Sequence, residues 1–135
     1  MGSTKTFTMI KPDAVAAGNS GAIMKIIEAH GFVIHAMKLT QLTAAQAGQF
    51  YEIHKEKPFY NDLCAYLSSG PIVVMVLEKE NAVLGNRELM GATKPEDAAE
   101  GTIRKKYGIS IDKNSVHGSD SVENAKIEID FFFKD

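Results

Sequence analysis

The sequence is poor in anything that could staple it. Cys64 is the single cysteine among 135 residues, which excludes an intrachain disulfide and any multi-cysteine metal site. Its setting, Leu63-Cys64-Ala65-Tyr66-Leu67, reads as a helix face, so a buried structural thiol is expected. An excess of one charge is also missing. The formal net charge is −2, whereas a generic grip on nucleic acid needs a dense basic field to displace counterions. No strong nucleic-acid binding is expected, and an anionic ligand must be held by a local cluster of cations. No segment approaches the roughly 18 apolar residues of a spanning helix. Met1-Gly2-Ser3-Thr4-Lys5 has no basic region leading into an apolar one, so the expectation is cytoplasmic residence without membrane association. Repeats, linkers and low-complexity tracts are absent too, which predicts a single domain over residues 1–135, long enough to bury a real core.

The chemistry that is missing narrows function further. There is no Gly-x-x-x-x-Gly-Lys-Ser/Thr phosphate loop and no protein-kinase signature set, so phosphate binding would have to use dispersed Arg, Lys and Thr side chains. No two histidines have the spacing of a helical metal site, which argues against a metalloenzyme. His30, His35 and His54 read as a helix C-terminal, a strand and a helical residue without catalytic roles.

Along the chain, Thr6-Phe7-Thr8-Met9-Ile10 alternates as a strand and runs into Lys11-Pro12-Asp13, where proline ends the ladder and starts a turn. Lys11 is thereby placed at a strand's end. Ile23, Ile26 and Ile27, followed by His30-Gly31, predict a helix with a glycine stop. Residues 32–42 are strand-like. Thr43-Ala44-Ala45-Gln46 has the form of a capping box and opens a helix carrying Phe50, Tyr51 and His54. Pro58 fits the first turn of a helix with Phe59, Leu63 and Leu67 on one face, closed by Ser69-Gly70-Pro71. Ile72-Val73-Val74-Met75-Val76-Leu77 is apolar without alternation, the mark of a central strand covered on both faces. Asn81 is expected to cap a helix to about residue 90 that includes Arg87. Residues 92–101 read as a long ordered loop, 103–107 as a helical turn, and 121–133 as a last helix capped by Asp120 with Glu123. Val122, Ala125, Ile129 and Phe132 form its expected inward face. This order of elements suits an α+β sandwich with an antiparallel sheet.

The most informative stretch is Asn114-Ser115-Val116-His117-Gly118-Ser119-Asp120-Ser121. It sets a histidine beside a glycine that allows close backbone approach, just before a helix N-terminus that favours an anion. A neutral imidazole is a nucleophile at neutral pH, and a covalent intermediate splits one difficult transfer into two easier ones. It needs one ring nitrogen free and the other hydrogen-bonded. Glu128, flanked by Ile127 and Ile129, could orient His117 if the last helix folds back past the loop; a solvated glutamate paired with a lysine is the alternative.

Taken with the segments Thr8-Met9-Ile10-Lys11-Pro12-Asp13-Ala14-Val15, Lys57-Pro58-Phe59-Tyr60, Ser69-Gly70-Pro71, Gly91-Ala92-Thr93 and Gly101-Thr102-Ile103-Arg104, this block resembles the nucleoside diphosphate kinase family along essentially the whole chain. The resemblance implies a ferredoxin-like βαββαβ sandwich with a four-stranded antiparallel sheet, ping-pong phosphoryl transfer from a nucleoside triphosphate, chiefly ATP, to a nucleoside diphosphate, and homo-oligomers. It makes His117 the phosphorylated residue, supported by Glu128 and Ser119, with Tyr51 beside it. Lys11 would meet phosphate and a ribose hydroxyl, while Arg87, Thr93 and Arg104 would bind phosphates through forked or hydroxyl donors. Asn114 would contact the sugar hydroxyl and Phe59 would stack on the base, with Ile111 a candidate for its other face. Stacking and sugar contacts do not read base edges, so broad base and sugar tolerance is expected. Mg2+ would arrive on the β- and γ-phosphates, with no protein ligand named. Longer members carry a tail that contributes to subunit contacts, whereas this sequence stops at Asp135; a tetramer or dimer is expected ahead of a hexamer.

Two readings compete. A phosphohistidine transferase acting on a protein would keep His117 but would not need Lys11, Phe59 and Asn114. A catalytically idle nucleotide- or nucleic-acid-binding protein could lose His117 or Glu128 freely, and both are present.

Overall fold

The computed structural model describes residues 4–52, 55–109 and 114–133. Its elements run β1 (Lys5–Ile10), α1 (Pro12–Ala16), α2 (Ser20–Ala29), β2 (Val33–Thr40), α3 (Ala44–Phe50), α4 (Tyr60–Leu67), β3 (Ile72–Glu78), α5 (Ala82–Met90), α6 (Ile103–Tyr107), β4 (Val116–Gly118) and α7 (Val122–Phe132). The four strands form one sheet in the order β2-β3-β1-β4 with every neighbouring pair antiparallel. This is the ferredoxin-like βαββαβ arrangement, α2 and α5 being its two crossover helices.

Side chains on a strand alternate between faces, and that period sorts the core. Phe7 and Met9 of β1 share one face with Ile72 and Val74 of β3, where Leu42, Ala47, Leu67 and Phe132 from the α3, α4 and α7 side pack. Ile10 with Val73, Met75 and Leu77 lies on the other, beneath Ile23 and Ile27 of α2 and Ala82, Leu89 and Met90 of α5. Residues 72–77 are all buried, which is why the run showed no alternation: both faces are covered. Each such side chain removed from water stabilises the fold by about 1.5–3 kcal/mol.

The predicted capping box is formed in full, Gln46 N–H donating to Thr43 Oγ1 at 3.1 Å and Thr43 N–H to Gln46 Oε1 at 2.9 Å. Other boundaries differ from expectation. Tyr51 lies at the C-cap of α3 rather than inside it, and His54 and Ile111 fall outside the described residues. The helix expected from Pro58 starts at Tyr60, with Phe59 in the N-cap position. Asn81 does not cap α5 through its side chain; its φ of 55° is left-handed, a conformation asparagine tolerates better than most residues. Ser121, not Asp120, caps α7, accepting from Asn124 N–H at 3.0 Å, because the Asp120 carboxylate is held by the Asn124 side chain at 2.6 Å. Ala125 and Phe132 do face inward, but Val122 at the start of that helix is exposed. The 92–101 loop contains a short 3-10 turn, Pro95–Asp97. Among the described residues, no helix is long and apolar enough to cross a membrane.

Candidate active site

Strand register decides where His117 goes. In an antiparallel pair, directly opposed residues project to the same face. His117 is opposite Met9, so it shares the face covered by α3, α4 and α7, while Val116, opposite Ile10, joins the other core. Thr8 Oγ1 donates to the His117 carbonyl at 2.7 Å and fixes the backbone there. Phe50 meets the imidazole edge-on, with ring centroids 5.4 Å apart, and Tyr51 and Phe7 stand at 6.5 and 6.1 Å.

α7 returns along this face and brings Glu128 to the ring. Glu128 Oε1 lies 3.1 Å from His117 Nε2 and accepts from Ser119 Oγ at 2.6 Å. An ionised carboxylate can only accept, so Nε2 carries the proton in this pair and Nδ1 keeps its lone pair. Both side chains are about four-fifths buried, at 21% and 18% exposure, which strengthens the electrostatic coupling relative to water. Burial pushes the Tyr51 hydroxyl well above its ordinary range, and the Glu128 carboxylate adds to the rise. Tyr51 is therefore an O–H group, not a phenolate, beside the histidine.

His117 opens into a cleft of about 410 Å³ whose lining includes Lys11, Tyr51, Phe59, Leu63, Arg87, Met90, Thr93, Arg104, Asn114, Gly118 and Asp120. Of the site residues named from the sequence, eight line the cleft, Glu128 contacts the ring with Ser119 bonded to it, and Ile111 lies outside the described residues. Among the described residues the lining carries three cations, Lys11, Arg87 and Arg104, against the one carboxylate of Asp120. Arg104 is held rigidly, Nη1 donating to the Gly91 carbonyl at 3.0 Å and Nη2 to that of Val116 at 2.9 Å. Burial pulls its pKa down to about 10, and the nearby Arg87 guanidinium contributes. It is still a cation at neutrality, and an anion bound between the two guanidiniums would relieve their repulsion. Lys11 Nζ donates to Asn114 Oδ1 at 3.0 Å, and Asn114 Nδ2 to the Thr93 carbonyl at 3.0 Å, which couples strand end, loop and β4 approach in one chain of polar contacts.

Ser121 and Val122, which open α7, line an adjoining groove that shares Arg87 and Asp120 with the cleft. Among the described residues there is no group of three or more His, Cys, Asp or Glu side chains arranged for a metal ion.

Comparison with known proteins gives the family. The family model described as nucleoside diphosphate kinase matches residues 4–135. A curated nucleoside diphosphate kinase of Flavobacterium psychrophilum is 59% identical over 133 residues, covering 98% of this chain and 96% of the relative. One from Campylobacter jejuni is 59% identical over 130 residues, covering 96% and 95%. The chain belongs to the nucleoside diphosphate kinase family. The solved nucleoside diphosphate kinase structure from Aquifex aeolicus matches with a TM-score of 0.95 at 41% identity, over 96% of this chain and 94% of that one. That of Encephalitozoon cuniculi gives 0.94 at 36%, over 98% and 90%.

Within this nucleoside diphosphate kinase fold, several cleft residues escaped the sequence reading. Leu63 and Met90 line the cleft but carry no signal that separates them from core positions. Phe50 is visible only once α3 is packed on the ring. Gly118 had a signal, its place beside His117, and the structure explains it. A Cβ there would lie 2.6 Å from Asn86 Nδ2 and 2.6 Å from Met90 Cε. Gly118→Ala is expected to destabilise the fold by about 1–3 kcal/mol through overpacking and to lower turnover by displacing β4. Denaturant titration and initial rates on the same preparation check this; a variant with parental stability and rate would show that α5 yields freely.

Proposed function

We propose that the chain transfers the γ-phosphoryl group of a nucleoside triphosphate, chiefly ATP, to a nucleoside diphosphate through a phosphohistidine at His117. The observation that carries this reading is the Glu128–His117 pair standing at a cleft lined by Lys11, Arg87 and Arg104. In the first half-reaction, Nδ1 forms a bond to the γ-phosphorus as the bond from that phosphorus to the β-bridging oxygen breaks, and the diphosphate leaves. In the second, a terminal oxygen of another diphosphate attacks the same phosphorus and Nδ1 is released. Positive charge grows on the ring in the first step, where the Glu128 carboxylate at Nε2 offsets it. Arg87, Arg104 and Thr93 bind the phosphates, and Lys11 and Asn114 serve phosphate and sugar. Phe59, half exposed at 48%, stacks on the base, a contact that suits any base.

Mg2+ is part of the proposal as cargo of the nucleotide, neutralising β- and γ-oxygens; Asp120, the single carboxylate among the described residues of the cleft, fits a contact through water better than direct ligation. Homo-oligomerisation, as a tetramer or dimer ahead of a hexamer, is part of the proposal; the apolar side chains that edge strand β2 exposes, Val33, Met37 and Leu39, support association as such. Cytoplasmic residence and one domain over residues 1–135 complete the reading. The test is to mix protein with γ-labelled ATP and Mg2+ without acceptor. An acid-labile, base-stable label that chases onto added GDP is expected. Folded, ATP-binding protein that takes up no label would favour the idle-binder reading instead.

The division of labour in the cleft gives a second expected result. Arg104→Ala should lower kcat by about 10²-fold, the scale for losing one preorganised charge-stabilising donor, with a smaller change in KM. Phe59→Ala should mainly raise KM, since base stacking is worth about 1–3 kcal/mol per base. Steady-state kinetics would contradict the division if both variants changed kcat and KM in the same proportion.

A further inference from the structure

Behind the sugar side of the cleft lies a polar cluster that does not line it. Asp13 uses both carboxylate oxygens: Oδ1 accepts the Tyr66 hydroxyl, and Oδ2 accepts the Ser115 N–H at 3.1 Å. Tyr66 in turn accepts the Asp13 N–H at 3.3 Å. Ser115 has a φ of 75°, left-handed backbone that costs a residue with a Cβ on the order of 1–2 kcal/mol. It is also fully buried, and its Oγ has no hydrogen-bond partner among the described residues. Such a conformation persists only when its surroundings over-determine it. Here three bonds do so: Val116 N–H donates to the Asn114 carbonyl across the turn at 2.9 Å, the Asp13 carboxylate accepts the Ser115 N–H, and the Lys11 N–H donates to the Ser115 carbonyl at 2.8 Å.

The strained residue sits between Asn114 and the first residue of β4. Its clamp therefore sets the angle at which Asn114 leaves the backbone, and with it the Lys11–Asn114–Thr93 chain. Tyr66 belongs to α4, whose N-cap position is Phe59, so the same carboxylate ties the helix that bears the base-stacking ring to the loop that bears the sugar contact.

We propose that Asp13 and Tyr66 are positioning residues for nucleoside recognition, acting through Ser115 to aim Asn114 at the sugar hydroxyls. The inference rests on the kinase reading above. It predicts a defect that depends on the sugar and spares the histidine. The plain alternative, an acidic residue serving only the first turn of α1, predicts no such dependence.

The experiment compares Asp13→Asn and Tyr66→Phe with the parent on three phosphoryl donors: ATP, 2′,3′-dideoxy-ATP and phosphoramidate, which has neither sugar nor base. Tyr66→Phe removes one oxygen and keeps the ring, so it covers the case in which Asp13→Asn folds poorly. With ATP, kcat/KM for His117 phosphorylation should fall about tenfold, the scale of one lost hydrogen bond to a charged group. With dideoxy-ATP and phosphoramidate the rates should stay within about twofold of the parent. Equal losses on all three donors, or no loss on ATP, would overturn the inference. A parent enzyme that none of the three donors phosphorylates would overturn the kinase reading itself, and this one with it.

Discussion

His117→Ala is expected to lower transfer from ATP to GDP by at least about three orders of magnitude, equivalent to roughly 4 kcal/mol of transition-state stabilisation, and to abolish the chasing label. The size follows from the role, since without the ring there is no atom to carry the phosphoryl group between two separate nucleotides. The fold should survive. The β4–β1 ladder and the Thr8 bond to the 117 carbonyl are main-chain contacts that alanine keeps. Glu128 retains Ser119 as a donor, and with its side chain 18% exposed, water can reach the place the imidazole leaves. Nucleotide binding should also persist, because Lys11, Arg87, Arg104 and Asn114 line the cleft independently of the ring. Thermal melting, calorimetric binding of ATP and a turnover assay separate these outcomes. Full turnover in the alanine variant would eliminate the covalent route.

Local signals were legible where one residue's chemistry decides the outcome. Thr43 and Gln46 can satisfy each other within a single turn, and they do. The apolar run at 72–77 could only be a strand covered twice. Ambiguity arose where neighbouring residues are chemically interchangeable. Asp120 and Ser121 can both cap, and only the packing of Asn124 assigns that role to the serine. Asn81 has a capping side chain, yet the chain needed its tolerance of left-handed backbone instead. The site divides in the same way. His117 and Glu128 could be named, but their meeting depends on the Met9–His117 register and the return of α7, neither of which spacing encodes. The polar and aromatic lining of the cleft followed from resemblance, whereas Leu63 and Met90 look like any buried aliphatic position. Asp13 and Ser115 are 102 positions apart and are joined only by the sheet topology.

Glu128 offers the second large effect, and a graded one. Glu128→Ala should cost about 10²-fold or more in kcat, on the scale of general acid–base and oriented-histidine contributions. Two losses combine in it: the proton is no longer held on Nε2, and the charge that offsets the ring's developing cation is gone. Glu128→Gln separates them. His117 Nε2 and Ser119 Oγ both address Oε1, so a glutamine amide oxygen in that place can keep both hydrogen bonds while giving up the negative charge. Recovery of most of the alanine loss by glutamine would make tautomer and orientation the larger part; a glutamine variant as slow as alanine would make the charge the larger part. Ser119→Ala should cost less than either, about tenfold or under, because the hydroxyl acts on the carboxylate and not on the ring. Single-turnover labelling from ATP reads the chemical step directly in all three variants. Because Nδ1 is untouched in each, slow variants should still reach a full complement of phosphohistidine at long times. A variant that stops at partial labelling, with protein still folded and excess ATP present, would place Glu128 in holding the phosphorylated state rather than in the rate of its formation.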